Sequence, residues 1–164
     1  MSRLEKLDAH DTAGFDCGDA ALNAWLNRHA LVNERSGMSS TYVRVDDGRV
    51  AGFVTLAAGS IARDLVPDRA AAGVPRHPVP IMVIARLAVD VRDQGRGLGS
   101  RLMAFALLKS VEVSEIIGVR AVSFHAKDAS ARAFYLHLAE FEPSPVDPLS
   151  LFVLMKDLRR AAAG

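Results

Sequence analysis

The chain has 164 residues and a mass of 17.6 kDa; half of it is hydrophobic, 24% is charged, and the formal net charge is +1. That size and balance describe one globular domain over residues 1–164 with its own apolar core, and they exclude a low-complexity or strongly charged disordered chain. The lone Cys17 excludes an internal disulfide and a Cys-based metal cluster, no apolar run reaches the ~18 residues of a membrane span, and Met1-Ser2-Arg3-Leu4-Glu5 has no signal-peptide core, so a reducing, cytoplasmic setting without a membrane is expected.

Ser2 to Leu7 reads as a short first strand. Asp19 is placed to cap a helix, on which Leu22, Trp25, Leu26 and His29 recur at i, i+3, i+4, i+7. Thr41 to Val45 and Val50 to Ala57 are β-rich runs joined by Asp46-Asp47-Gly48, a hairpin signal. Arg63 to Pro80 holds four prolines and reads mainly as loop. Ile81 to Val91, apolar except for Arg86 and Asp90, predicts a central strand buried on both faces. A helix is expected from about Leu98 to Ile117, with Leu102, Phe105, Ala106 and Lys109 on one stripe and Gly118 as its stop. Val119 to Ala126 is a second buried strand. Asp128 caps a short helix through Leu138, which Glu142-Pro143-Ser144-Pro145 terminates, and Leu149 to Leu158 is a final strand. Strands and helices in that order predict an α/β (α+β) fold, a mixed central sheet with helices on both faces.

Between the central strand and the long helix stands Gln94-Gly95-Arg96-Gly97-Leu98-Gly99. Glycine tolerates positive φ and lets a ligand approach the backbone. The helix that follows offers unpaired N–H groups and the positive end of its dipole, so the turn suits a pyrophosphate, with Arg96 as an outer contact. A P-loop would need a Lys that is absent, and the dinucleotide fingerprint has a different glycine spacing and lies near the first strand. A plain strand-to-helix turn is the bland alternative.

Charge is uneven. Residues 28–101 carry eleven basic side chains, all Arg, against seven acidic ones. Arginine suits bidentate phosphate contact, and a solvated surface is the competing reading.

On these residues the sequence resembles the GNAT superfamily of N-acetyltransferases. The glycine turn matches its [QR]-x-x-G-x-[GA] pyrophosphate motif, Arg86-Leu87-Ala88-Val89-Asp90 is similar to the strand lining the pantetheine arm, and Asp128 with Ala131, Phe134 and Tyr135 is similar to its second CoA-contacting helix. Two departures stand out: Asp128 where the superfamily often has Asn, and Glu140-Phe141 where it often has Gly-Phe. Phe15-Asp16-Cys17-Gly18 with Leu22 and Trp25-Leu26, His77-Pro78-Val79-Pro80, and His125-Ala126-Lys127-Asp128 are similar to the tRNA-acetylating toxins of toxin–antitoxin modules. The resemblance covers roughly residues 3–158. It implies a V-shaped splay of the sheet after the strand at 81–91, and acetyl-CoA as co-substrate held by Leu87, Ala88, Val89, Gln94, Gly95, Arg96, Gly97, Leu98, Gly99, Ser100, Asp128, Ala131 and Phe134. It also implies an aminoacyl-tRNA substrate, a ribbon-helix-helix antitoxin and a homodimer.

Direct transfer from thioester to amine needs a neutral amine, a donor for the oxyanion and a proton for the leaving thiolate. The toxin resemblance makes Tyr135 the general acid, in keeping with a phenol pKa near ~10 against ~8.5 for a thiol. Backbone N–H groups near Leu87, Ala88 and Val89 are the expected oxyanion donors. His125 is a possible base, weighed against a packed or hydrogen-bonded histidine. His10, His29, His77, His125 and His137 lack metal-ligand spacing, so no metal is expected, and Cys17 reads as packing. The basic middle offers Arg28, Arg35, Arg63, Arg69, Arg76, Arg86, Arg92 and Arg96 to phosphates, chiefly Arg35, Arg76 and Arg86, although Arg86 could equally be a structural ion-pair partner. Arg35 to Ser40 reads as a substrate loop. A small-molecule or protein N-terminal acetyltransferase, and an inactive CoA-binding regulatory module, are the alternatives.

Overall fold

The computed structural model describes residues 3–164. Ser2, the first residue of the expected opening strand, lies outside the described residues. Seven strands, β1 (Leu4–Lys6), β2 (Ser40–Asp46), β3 (Arg49–Ile61), β4 (Val79–Val89), β5 (Ala121–His125), β6 (Glu142–Pro143) and β7 (Ser150–Leu154), form one mixed sheet in the order β1-β2-β3-β4-β5-β7-β6. β1, β2 and β3 are antiparallel, β4 and β5 are parallel, and β7 is antiparallel to β5 and β6. Among the described residues the α-helices are α1 (Ala20–Arg28), α2 (Ala30–Ser36), α3 (Asp68–Ala71), α4 (Leu98–Ser114), α5 (Ala129–Leu138) and α6 (Met155–Ala163). The chain clusters into two compact units, one running up to Ala57 and including Ala85–Ala106, the other Ala58–Ile84 with Leu107–Gly164.

In the first unit, Leu7, Phe15, Leu26, Val43, Val50, Phe53 and Ala88 are buried together. Phe53 meets Phe15 edge-on at 5.5 Å and stacks on Trp25 at 6.1 Å. Asp19 caps α1 through the N–H groups of Ala21 and Leu22. The helix breaks at His29, which is exposed, so the i+7 position of the expected stripe is not on its buried face. α2 then carries Arg35 and Ser36 and ends at Gly37, φ 78°, leaving only residues 37–39 of the expected substrate loop outside regular structure. The β2–β3 hairpin turns on Asp47 and Gly48 at φ 52° and 76°, the double positive φ of a type I′ turn. At Gly52 an added Cβ would come within 3.2 Å of the Ala88 carbonyl and of Leu98, and 3.1 Å of Leu102. Its bare backbone therefore lets the start of α4 settle on β3, which sets the height of the glycine turn.

In the second unit Val66, Ala70, Val79, Ile81, Ala121, Phe152 and Leu154 form the core. The stretch from Arg63 is more ordered than expected. It contains a 3-10 turn at Arg63–Leu65 and α3; the Arg120 guanidinium donates to the carbonyls of Ala70 and Ala72 at 2.9 Å, and Arg63 donates to that of Ala71 at 3.3 Å.

Three expectations are corrected. The helix from Leu98 ends at Ser114, not Ile117: Glu115 and Ile116 donate three residues back, to Glu112 and Val113, and the chain tightens into turns at a β-branched pair. The last strand ends at Leu154, where the Met155 N–H turns to the Arg120 carbonyl at 3.0 Å, and Lys156 to Ala163 are helical. The central strand is buried on both faces only near Ile81–Ile84, since Ala85 is exposed and Arg86 and Leu87 are half-buried.

Candidate active site

The turn after β4 has the backbone its glycines imply. Gly95 and Gly97 stand at φ 78° and 81°, and a Cβ at either would meet no atom within 4 Å. Glycine is demanded here by the chain's conformation and not by crowding, so the space above the turn is open. α4 starts at once: Leu98 is buried, Gly99 and Ser100 lie in its first turn, and Arg101 already donates to the Gly97 carbonyl at 3.2 Å. The N–H groups of a first helical turn have no partner inside the helix, and they carry the positive end of its dipole. Such a donor set fits the diphosphate of acetyl-CoA. Arg96 is exposed on the rim, beside a cavity of about 170 Å³ that it shares with Arg44 and Arg101.

Gln94 also has partners within the protein. Its side-chain amide donates to the main-chain carbonyls of Val89 (2.9 Å) and Cys17 (3.3 Å), so that amide braces the turn. Just upstream, Asp90 is fully buried and accepts from the N–H of Asp16 (3.1 Å), the N–H of Arg92 (2.9 Å) and the Arg92 guanidinium (2.9 and 2.8 Å). The Arg92 side-chain bonds, followed by the two backbone N–H groups, hold the Asp90 carboxyl well below the usual carboxylate range against the opposing effect of burial. A depressed folded-state pKa adds stability that is full above the unfolded value near ~3.9 and drains away as pH falls below it. Asp90→Asn is therefore expected to flatten the acid limb of the melting-temperature profile below pH ~4; an acid limb as steep as wild type rejects this. Asp93, also buried, takes a bidentate pair from Arg49 at 2.7 and 3.1 Å.

Arg86 has a definite environment. Its guanidinium lies over the Trp25 ring, 4.0 Å from the centroid, and burial pushes its pKa down. Among the described residues no carboxylate lies within ion-pair distance of it. The ion-pair alternative is thereby replaced by a stack on a tryptophan, a partner the sequence reading did not find. Arg35 is exposed and 3.7 Å from Asp8. Arg76 is exposed on the rim of a cavity of about 660 Å³, with Arg63 and His77. Arg28 is exposed as well. By contrast Arg63 donates to the Ala71 carbonyl, Arg69 pairs with Glu142 and Asp157, and Arg92 is committed to Asp90.

On α5, Asp128 caps the helix by accepting the Ala131 N–H at 2.8 Å. Tyr135 is half-buried, its ring 4.3 Å from Phe124 and 5.2 Å from the exposed Phe134, and burial raises its pKa above the ordinary phenol value. The phenol is thus held protonated at neutral pH. His125, at the end of β5, is exposed and 3.2 Å from Asp147. Cys17 is half-buried with its thiol toward the Asp19 carbonyl, and burial raises its pKa, as suits a packing residue. His10 pairs with Glu5, and His29, His77 and His137 are exposed. Among the described residues no three His, Cys, Asp or Glu side chains converge as a metal site, and no helix is long and apolar enough to cross a membrane.

Comparison with known proteins gives this geometry its family. The model of the acetyltransferase (GNAT) domain matches residues 38–138. A tRNA-acetylating toxin of Mycobacterium tuberculosis (strain ATCC 25618 / H37Rv) is 46% identical over 152 residues, which cover 93% of this chain and 90% of the toxin. Among solved structures, AtaT complexed with acetyl-methionyl-tRNAfMet superposes with a TM-score of 0.90 at 27% identity over 99% of both chains. AtaTR bound with AcCoA gives 0.83 at 28% identity over 98% of both. An acetyltransferase domain model over most of the chain, a relative nearly half identical over 93% of it, and a glycine turn at positive φ leading into a helix agree: the chain belongs to the GNAT family of acetyl-CoA-dependent N-acetyltransferases.

Proposed function

We propose that this protein is a toxin that moves the acetyl group of acetyl-CoA onto the α-amine of an aminoacyl-tRNA and so blocks translation. The observation that carries the acceptor is the 46% identity, across 93% of the chain, to a protein named for that activity. The chemistry is assigned to this chain's own residues. Backbone N–H groups at Gly95 to Ser100 hold the diphosphate, with Arg96 outside them; the family resemblance assigns Ala131 and Phe134 on the Asp128-capped helix to the same co-substrate. The ladder β4 shares with β5 covers Ile81–Ile84, and the strand runs on through Ala85–Val89. We read that extension as one arm of a splayed sheet, where Leu87, Ala88 and Val89 offer N–H groups to the pantetheine arm and to the oxyanion. The neutral amine attacks the thioester carbon, a C–N bond replaces the C–S bond, and Tyr135 gives its proton to the departing thiolate. The amine's own proton leaves to water.

We read residues 1–164 as one GNAT domain, a reading supported by the single family model that matches residues 38–138. A ribbon-helix-helix antitoxin, a homodimer and a cytoplasmic setting complete the proposal.

The test is a transfer assay with labelled acetyl-CoA and total aminoacylated tRNA, using deacylated tRNA as control. Label on charged tRNA alone supports the reading; label only on small amines or protein N-termini replaces it. No transfer to any amine, with tight CoA binding, leaves a regulatory module. If Arg35, Arg76 and Arg86 meet phosphates, three contacts should raise KM for charged tRNA about 20–40-fold between 50 and 200 mM salt. A KM independent of salt removes these arginines from the acceptor site.

A further inference from the structure

Asp90, Val91, Arg92 and Gln94 are each tied to a segment that precedes α1. Asp16 donates to the Asp90 carboxylate at 3.1 Å, and Val91 donates to the Asp16 carbonyl at 2.8 Å. The Arg92 guanidinium reaches the Gly14 carbonyl at 3.3 Å while two of its nitrogens hold Asp90. Gln94 bridges the Cys17 and Val89 carbonyls, and Gly18 lies against Val91. The Asp93 N–H closes a turn onto the Asp90 carbonyl at 2.8 Å, and the Asp93 carboxylate is clasped by Arg49. On the far side of the turn Leu98 is seated against the bare backbone of Gly52. Only Gly95, Arg96 and Gly97 lie between these two anchors, and both glycines are in a region of φ that other residues rarely adopt.

From this we infer that Asp90, Arg92 and Gln94 are positioning residues for the co-substrate: they lash the Gly14–Gly18 strap to the turn and fix the backbone N–H groups that receive the diphosphate. None of their side chains touches the ligand. The inference rests on the reading of the turn as the acetyl-CoA site. A diphosphate bound by main-chain donors gains little from any one of them; its affinity depends on several being aligned before it arrives. The strap supplies that alignment from a segment far away in sequence, and it uses Gln94 as a brace where a direct ligand was expected.

Calorimetric titration with CoA, together with steady-state kinetics, separates positioning from bulk stability. Arg92→Ala and Gln94→Ala should each raise Kd for CoA and KM for acetyl-CoA about 5–10-fold, with kcat at saturating acetyl-CoA within about 2-fold of wild type. Arg92→Lys, which keeps a donor toward Asp90, should recover part of the loss. Asp90→Asn should show the largest shift; if it fails to fold, the two surface variants still decide. Arg69→Ala, which breaks an ion-pair set sharing none of these atoms, is the control for lost stability without lost affinity. Kd within about 2-fold of wild type in both Arg92→Ala and Gln94→Ala, or an equal rise in Arg69→Ala, overturns the inference. Because CoA binding needs no acceptor, wild type that binds CoA but leaves charged tRNA unlabelled would sink the acceptor assignment alone, and wild type that does not bind CoA would overturn both.

Discussion

Replacing Tyr135 by Phe is expected to lower kcat by about 100-fold or more while leaving the Kd for acetyl-CoA within about 2-fold. The ring rests on Phe124 and Phe134, contacts that phenylalanine keeps, so the substitution removes a hydroxyl and little packing. If Tyr135 is the general acid we propose, what goes is the proton for the CoA thiolate. A thiol ionises near ~8.5 and a free phenol near ~10, so the transfer from phenol to thiolate costs about 2 kcal/mol at equilibrium and avoids expelling a bare thiolate. Burial raises the Tyr135 pKa further. The acid must be protonated to act, and a raised pKa moves the loss of that form to higher pH, above the ordinary phenol range. Between pH 7 and 9 the wild-type rate should therefore rise as the acceptor amine loses its proton, with no falling limb from Tyr135. A rate for Tyr135→Phe within about 3-fold of wild type, or a falling limb beginning near neutrality, would remove the residue from the chemistry.

Local chemistry was legible in the sequence where it is local in space. Asp19 and Asp128 cap helices because an Asp side chain accepts from N–H groups two or three residues ahead, and both do so here. Asp47-Gly48 and the Gly95–Gly97 turn are likewise set by φ preferences of single residues. The last strand was misread for the opposite reason. Leu149 to Leu158 is an apolar run in which a short strand and the start of a helix have the same pattern, and what divides them at Met155 is a hydrogen bond to Arg120. The sequence alone leaves Arg86 between two roles because its partner, Trp25, belongs to another element and is no carboxylate. In the sequence Asp90 closes the Arg86–Asp90 motif and interrupts an apolar strand; that it is buried, held by Arg92 two residues on and joined to Asp16 74 positions earlier, is a fact of the fold. The conformation of the glycine turn could be read from the sequence; the side-chain contacts that brace it could not.

Gly97→Val should cost acetyl-CoA binding far more than it costs the fold. At φ 81° a non-glycine residue is strained by about 1–2 kcal/mol, which alone lowers the melting temperature by a few degrees. The new side chain finds no protein atom within 4 Å of its Cβ, so no packing penalty is added. That open space is where we propose the diphosphate binds. A branched side chain there blocks approach to the first N–H groups of α4, and relaxing its strain turns those groups away from a common point. Kd for CoA is expected to rise by about 30-fold or more, roughly 2 kcal/mol, with the far-ultraviolet spectrum unchanged. The same argument separates this site from Gly52, where an added Cβ would press on the Ala88 carbonyl and on Leu98. There a substitution strikes the packing beneath the turn, and any loss of affinity comes with a loss of stability. A Gly97→Val protein that binds CoA as wild type does would mean that the diphosphate lies elsewhere, and the assignment of Gly95 to Ser100 would fall with it.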